Sequence, residues 1–154
     1  MSYPTIQQVA EYMLNKEPIS NFKLNQLCFY ADSWNFVLNK RHFVDSNFQA
    51  WIHGAIDPGL QKQYKNYLNY QYNLQESARL IPQNSNNIPM LPQEEAEICD
   101  EVYEEYGALS DQELETLIHQ SDPWKNTRQG LKPLDCCDKT FSDHDLANWF
   151  IPPK

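Results

Sequence analysis

The stretch SNFKLNQLCFYADSWNFVL, Ser20 to Leu38, decides how this chain folds. Its apolar residues are Phe22, Leu24, Leu27, Cys28, Ala31, Trp34, Val37 and Leu38. They recur in steps of three and four, the period of an α-helix with a buried face. Neither Gly nor Pro interrupts the run. A helix of this length spans about 28 Å, enough to cross a small domain. Ser20 follows Pro18 closely and is a natural N-cap. Lys40, Arg41 and His42 stand at the far end, where cations favour the helix dipole. Phe29, Tyr30 and Phe36 add bulk on the flanks, so neighbours are expected on more than one side. The stretch reads as a central core helix at about 20–39, with nothing in it armed for chemistry.

The flanking chain supplies what packs on that helix. Thr5 to Asn15 reads as a first helix, opened by a Thr5–Gln8 capping box. Its apolar face is Ile6, Val9, Ala10, Met13 and Leu14. Beyond Arg41, Phe43-Val44 and Ala50–Ile56 predict two short strands or extended pieces. Gly54, inside the second, marks a bulge or a close backbone approach. Asp57-Pro58 is an N-cap followed by a first-turn proline, and Leu60, Tyr64, Tyr67 and Leu68 continue a helical stripe. Tyr70, Tyr72 and Leu74 alternate as in a strand. The Pro- and Asn-rich segment 77–92 reads as a mobile surface loop.

Helical spacing resumes over Pro92–Tyr106, with Ile98, Cys99, Val102, Tyr103 and Tyr106 inward and Gly107 as its C′ residue. Ser110 and Glu113 form a second capping box. Leu114, Leu117 and Ile118 then face the core, until Pro123-Trp124 stops that helix. Residues 125–139 read as irregular, and Ser142 caps a last short helix carrying Leu146, Trp149 and Phe150. The expectation is one domain over 1–154, mainly α with a small β element (α+β). Trp34 and Trp51 are both expected in its core.

Composition narrows the function. Apolar residues make up 41% of the 154, enough for a packed core. The net charge of −9 argues against a nucleic-acid surface, which needs clustered Lys and Arg. No run approaches the length of a membrane span. The start, MSYPTIQQ, lacks a signal peptide's basic and apolar regions, so a cytoplasmic address is expected. Cys28, Cys99, Cys136 and Cys137 show neither CxxC nor zinc spacing and read as reduced thiols.

Three constellations are candidates for a site. Glu115 lies four residues before His119, on one helix face, and a carboxylate that orients a histidine is a recurrent catalytic arrangement. No nucleophile accompanies the pair. His53, beside Trp51 and Gly54, is a second candidate base; both histidines read more readily as structural. The third is acidic: residues 94–115 hold ten of the 21 carboxylates and no Lys or Arg. They read either as a solvated face or as a docking surface for a basic protein, through Glu97, Glu101 and Glu104. A carboxylate metal cluster is the weaker option there. Tyr70 and Tyr72 are the alternative, apolar anchors. Neither cofactor nor metal is expected.

Four blocks of sequence give the chain a family resemblance. They are ISNFKLNQLCFYA (19–31), AWIHGAIDPGLQKQY (50–64), Ile98–Gly107 with Leu109–Leu117, and HQSDPW (119–124). In that order they resemble the Panacea domain of SocA-type antitoxins and phage-associated proteins. Ser142–Phe150 is similar to that family's last helix. Gly54-Ala55-Ile56 departs from the family's usual Gly-Pro-Val, and 77–92 matches no block. The resemblance implies a non-enzymatic protein that neutralises a toxin encoded beside it. Neutralisation is by direct binding in some members and by delivery to a protease in one type. It transfers no catalytic residues. The rival readings are a hydrolase or metal-dependent enzyme using His53 or His119 with nearby carboxylates, and a phage protein that binds a host factor.

Overall fold

The computed structural model describes residues 3–64, 70–73, 76–83 and 89–153. Among them the elements run α1 (Ile6–Leu14), α2 (Asn21–Asn39), β1 (Gln49–Ala50), β2 (Ala55–Ile56), α3 (Pro58–Gln63), β3 (Tyr70–Asn73), β4 (Glu76–Leu80), α4 (Gln93–Tyr106), α5 (Asp111–His119), α6 (Asp122–Thr127) and α7 (Asp143–Trp149). The class is as the periodicity predicts: mainly helical, with two small antiparallel pairs, β1–β2 and β3–β4.

The central helix is α2. It packs against α1, α3, α4, α5, α7 and β2. Ser20 caps it by accepting from the Lys23 N–H at 3.0 Å. Lys40, in the left-handed region at φ 62°, closes it. Every residue from Leu24 to Ser33 is buried, so its polar residues are enclosed along with the apolar ones. A buried polar group needs a partner; among the described residues Ser33 Oγ has none, while the other side chains find theirs on the backbone of the segment that follows. The Gln26 amide donates to Ala55 O at 2.7 Å and accepts from Ala55 N–H at 3.2 Å. Asn25 accepts from Asp57 N–H at 2.9 Å, Asp32 from Phe43 N–H at 2.7 Å, and Asn35 donates to Arg41 O at 2.9 Å. Its polar side chains hold the return of the chain over 41–57.

That return is a hairpin rather than one strand over 50–56. Gln49 pairs with Ile56 and Ala50 with Ala55. Gly54 permits the close approach, since a first side-chain carbon there would lie 2.8 Å from Gln26 Oε1. On its other side β1 is bridged by 139–141: Ala50 N–H donates to Lys139 O and Phe141 N–H to Phe48 O. Asp57 caps α3 through the Gly59 and Leu60 N–H groups, with Pro58 in the first turn.

Other expectations are revised. Tyr64 is fully buried, its hydroxyl donating to the buried Glu11 carboxylate, but α3 stops at Gln63. Tyr67 and Leu68 lie outside the described residues. The segment read as a loop from 77 opens inside β4, whose last residue, Leu80, is fully buried and pairs with Ile19; 84–88 lie outside the described residues. Pro123-Trp124 does not stop a helix. It starts α6, because a proline in a first turn loses no hydrogen bond. Gly107 closes α4 in the right-handed region, not as a left-handed C′ residue. Trp34 is half-buried against the core. Trp51 is not core: Ala50 and Ala55 take the inward positions, and Trp51 is left half-buried at a groove.

His42 ties α2 to the start of α7. Its Nδ1 lies 2.8 Å from Asp32 Oδ2 and its Nε2 2.7 Å from Asp143 Oδ1, with the ring stacked on Phe36 at 4.6 Å. The hydrogen bond to Asp32, opposed by burial, is the main cause that raises its pKa from 6.5 to about 9. A folded-state pKa above the unfolded value adds stability that is complete below pH 6.5 and gone above about 9. The stability advantage of the parent over His42→Gln should therefore shrink as pH rises through that window, which urea unfolding at pH 6 and pH 9.5 measures. A pH-independent difference would show that His42 does not carry the charge in the folded state.

Gln26→Leu tests the other anchor. It strands two Ala55 groups in a dry site, at about 1–3 kcal/mol each. The urea midpoint should drop accordingly, and an unchanged midpoint would mean that Ala55 finds other partners.

Candidate functional site

The β1–β2 turn, Trp51–Gly54, is gripped from the C-terminal half of the chain. His119 Nε2 lies 2.9 Å from Ile52 O. A carbonyl only accepts, so this nitrogen carries the proton. Trp124 Nε1 donates to Trp51 O at 2.9 Å, and the His119 and Trp124 rings stack at 4.2 Å. Arg128, buried, donates to Ala50 O at 2.8 Å and Asp135 O at 2.7 Å, with its guanidinium over the Trp124 ring. The His…Pro-Trp block is thus a clasp on the hairpin backbone. Arg128, in a segment that the sequence left as irregular, completes it.

This geometry separates the pair that the helix spacing joined. Glu115 meets His53, at 3.1 Å, and His119 is held by backbone. The His53 side chain is 71% exposed, so the contact with Glu115 adds little stability. No group of three His, Cys, Asp or Glu side chains is placed to hold a metal ion among the described residues.

In front of the clasp lies an open groove of about 700 Å³, with Phe22, Trp51, Ile52 and Ile56 apolar and His53 and Cys136 at its edge. The cysteines divide by environment. Cys28 and Cys99 are fully buried, and burial pushes the Cys99 thiol up to about 12. Cys137 is buried and Cys136 exposed.

The acidic stretch is not one face. Glu95 is fully buried and paired with Arg41 at 2.5 Å; Glu94 meets the same guanidinium at 3.4 Å. Asp100 accepts from Tyr12 and from Lys16, both at 2.7 Å. Burial alone would raise its pKa, but those two donors hold it below the usual carboxylate range. Asp111 accepts from Ser20 Oγ at 2.7 Å, Glu113 caps α5, and Glu115 meets His53. Glu97, Glu101, Glu104 and Glu105 are left exposed on α4. Glu97 accepts from Gln93. Beside Glu101 and Glu105 is a second groove of about 280 Å³ between α2 and α4, with Trp34, Leu38, Ile98 and Val102 in its lining. Leu38, which the spacing assigned to the buried stripe, is 47% exposed. Tyr70 and Tyr72 stand on β3; their side chains lie outside the described residues.

The chain belongs to the antitoxin SocA-like, Panacea domain family, whose model matches residues 24–125, more than half of its length. The match runs from α2 through the clasp tryptophan; α1 and α7 lie outside it. No curated protein and no solved structure matches the chain. Among the described residues no helix is long and apolar enough to cross a membrane.

The cysteine environments give a direct test. A disulfide reagent should label one thiol per folded chain promptly, and Cys136→Ser should abolish that reaction, because a buried thiol forms its reactive thiolate poorly. Arg128→Met should release the 132–135 backbone and make Cys137 reactive as well. Prompt labelling of all four thiols in the folded parent would contradict the burial described.

Proposed function

We propose that this protein is an antitoxin, or its prophage-associated counterpart, that neutralises a cognate toxin in the cytoplasm by binding it directly and without catalysis. Membership of the antitoxin SocA-like family over 24–125 is the observation that carries this reading. The contact surface we assign to the toxin is the exposed row Glu97, Glu101 and Glu104 on α4. These carboxylates, with Glu105, remain solvent-facing while the other six acids of the stretch are engaged within the domain. They suit a basic partner, whose encounter they accelerate. Tyr70 and Tyr72 on β3 are the second candidate contact. His53 and His119 have no catalytic role in this reading.

The test is co-expression with the gene product encoded beside it. The parent should restore growth, and the purified pair should form a complex. Glu97, Glu101 and Glu104 changed together to Lys should keep the parental unfolding midpoint within about 0.5 kcal/mol. The same change should slow association, less so at high salt, where the screening length falls from about 10 Å at 0.1 M to about 3 Å at 1 M. Full rescue at the parental association rate would make the row a solvated surface, and Tyr70→Ala with Tyr72→Ala would then take its place. An unchanged toxin level during rescue supports blocking. A fall in toxin that disappears in a protease-deficient host would assign delivery to a protease instead.

A further inference from the structure

The groove between α2 and α4 combines features that select its occupant. Its floor includes Trp34, Leu38, Ile98 and Val102. Leu38 is 47% exposed, although it extends from the helix that forms the centre of the core. Such an exposed leucine, at the edge of a concave apolar surface, is a site where burial has yet to occur. The floor is already fixed. Trp34 packs edge-on against Phe150 at 5.4 Å, and Tyr106, beside it, stacks on Tyr30 at 4.2 Å. Little ordering is left for a binding event to impose.

Size and charge restrict what enters. About 280 Å³ falls just under the range of roughly 300–1,000 Å³ typical of small-molecule pockets, and it suits one anchoring side chain. Glu101 and Glu105 rim the groove, with Glu97 and Glu104 on the same helix. Glu101, Glu104 and Glu105 make no ion pair among the described residues. Among the described residues no Lys, Arg or His lines the groove. A second copy of this chain, at net −9, is repelled there, as is any anionic surface.

We infer that the α2–α4 groove is an anchor pocket for a polypeptide segment that presents one large apolar side chain flanked by Lys or Arg. This rests on the antitoxin reading only in naming the toxin as the bearer of that segment. The apolar side chain fills the cleft against Leu38 and Trp34, while its basic neighbours meet Glu101 and Glu105. In interfaces of this kind a buried central anchor sets the lifetime of the complex, and rim charges set the rate of encounter.

Two arms test it separately. In the first, random-peptide display is run against the purified full chain. Enriched peptides should carry an aromatic or leucine residue next to Lys or Arg, and should bind more weakly as salt rises. Leu38→Asp should weaken them by at least about tenfold, and Leu38→Met should keep them. Glu101→Lys with Glu105→Lys, both at exposed sites, should weaken them as well without lowering the unfolding midpoint. No enrichment, or enrichment indifferent to both changes, overturns the pocket. In the second arm the same variants are titrated with the toxin that the parent neutralises. Parental affinity in Leu38→Asp overturns the pocket as the toxin's contact and leaves the antitoxin reading standing. If no neighbouring gene product is neutralised while the peptide arm succeeds, the antitoxin reading falls and the pocket stands.

Discussion

The fold depends on one contact, the two-way hydrogen bond between the Gln26 side chain and the backbone of Ala55. A primary amide supplies a donor and an acceptor, which is what one residue of extended backbone requires. Ala55 is fully buried, so neither of its groups has water to fall back on. The bond also explains its surroundings. Gly54 must lack a side chain because the amide lies against it. Ala50 and Ala55 are small because the hairpin rests on the helix. Once Ala55 is held, the chain can turn at Asp57 into α3, whose first-turn N–H groups that aspartate caps. Asn25, Asp32 and Asn35 repeat the device along the helix and anchor 41–57 over much of its length. The protein is built around a helix that is buried on nearly all sides and is still half polar. Asn25, Gln26, Asp32 and Asn35 stabilise the domain because each is paired, whereas the buried Ser33 hydroxyl has no partner among the described residues.

The parts of this arrangement legible in the sequence were the local ones. The period of α2, the Thr5–Gln8 and Ser110–Glu113 boxes and the Asp57-Pro58 start each rest on residues within a few positions of one another, and each is present. The rest depends on partners far apart in the chain. Glu95 and Asp100 look like surface acids until Arg41, Tyr12 and Lys16 are brought to them across some fifty to ninety residues. The strand at 76–80 is held by a pairing with β3 and a bridge to Ile19, and a Pro- and Asn-rich composition conceals both. Glu115 and His119 share a helix face, yet the hairpin comes between them and gives each its own partner. Arg128 offered no periodic signal: its partners are carbonyls, which every residue has.

Acidity is distributed to match. A chain at net −9 repels itself, and burying a carboxylate requires a close counter-charge or donor. Glu95 has Arg41, and Glu11 accepts from the Tyr64 hydroxyl and the Gln83 N–H. Helix starts absorb more: Asp57 and Glu113 cap, where negative charge favours the dipole. Part of what is left over lies on the outer side of α4, as Glu97, Glu101, Glu104 and Glu105. That row is a remainder once the interior is satisfied, and for that reason it is free to vary with whatever it meets.

The residues that carry the family resemblance work mainly on the inside. Block 19–31 contains Asn25 and Gln26, block 50–64 contains Ala55, Asp57 and Tyr64, and block 119–124 contains both clasp rings. The signature is one of folding: it specifies how the hairpin is held between α2 and the C-terminal half. Changing those residues would release the hairpin, but block 98–107 also carries the exposed Glu101, Glu104 and Glu105, which do not hold it. Residues that can change without that penalty are those whose exposed side chains make no ion pair or hydrogen bond among the described residues, such as Leu38, Glu101, Glu104 and Glu105. Under the proposed reading, these residues can change to suit a partner while the fold is kept.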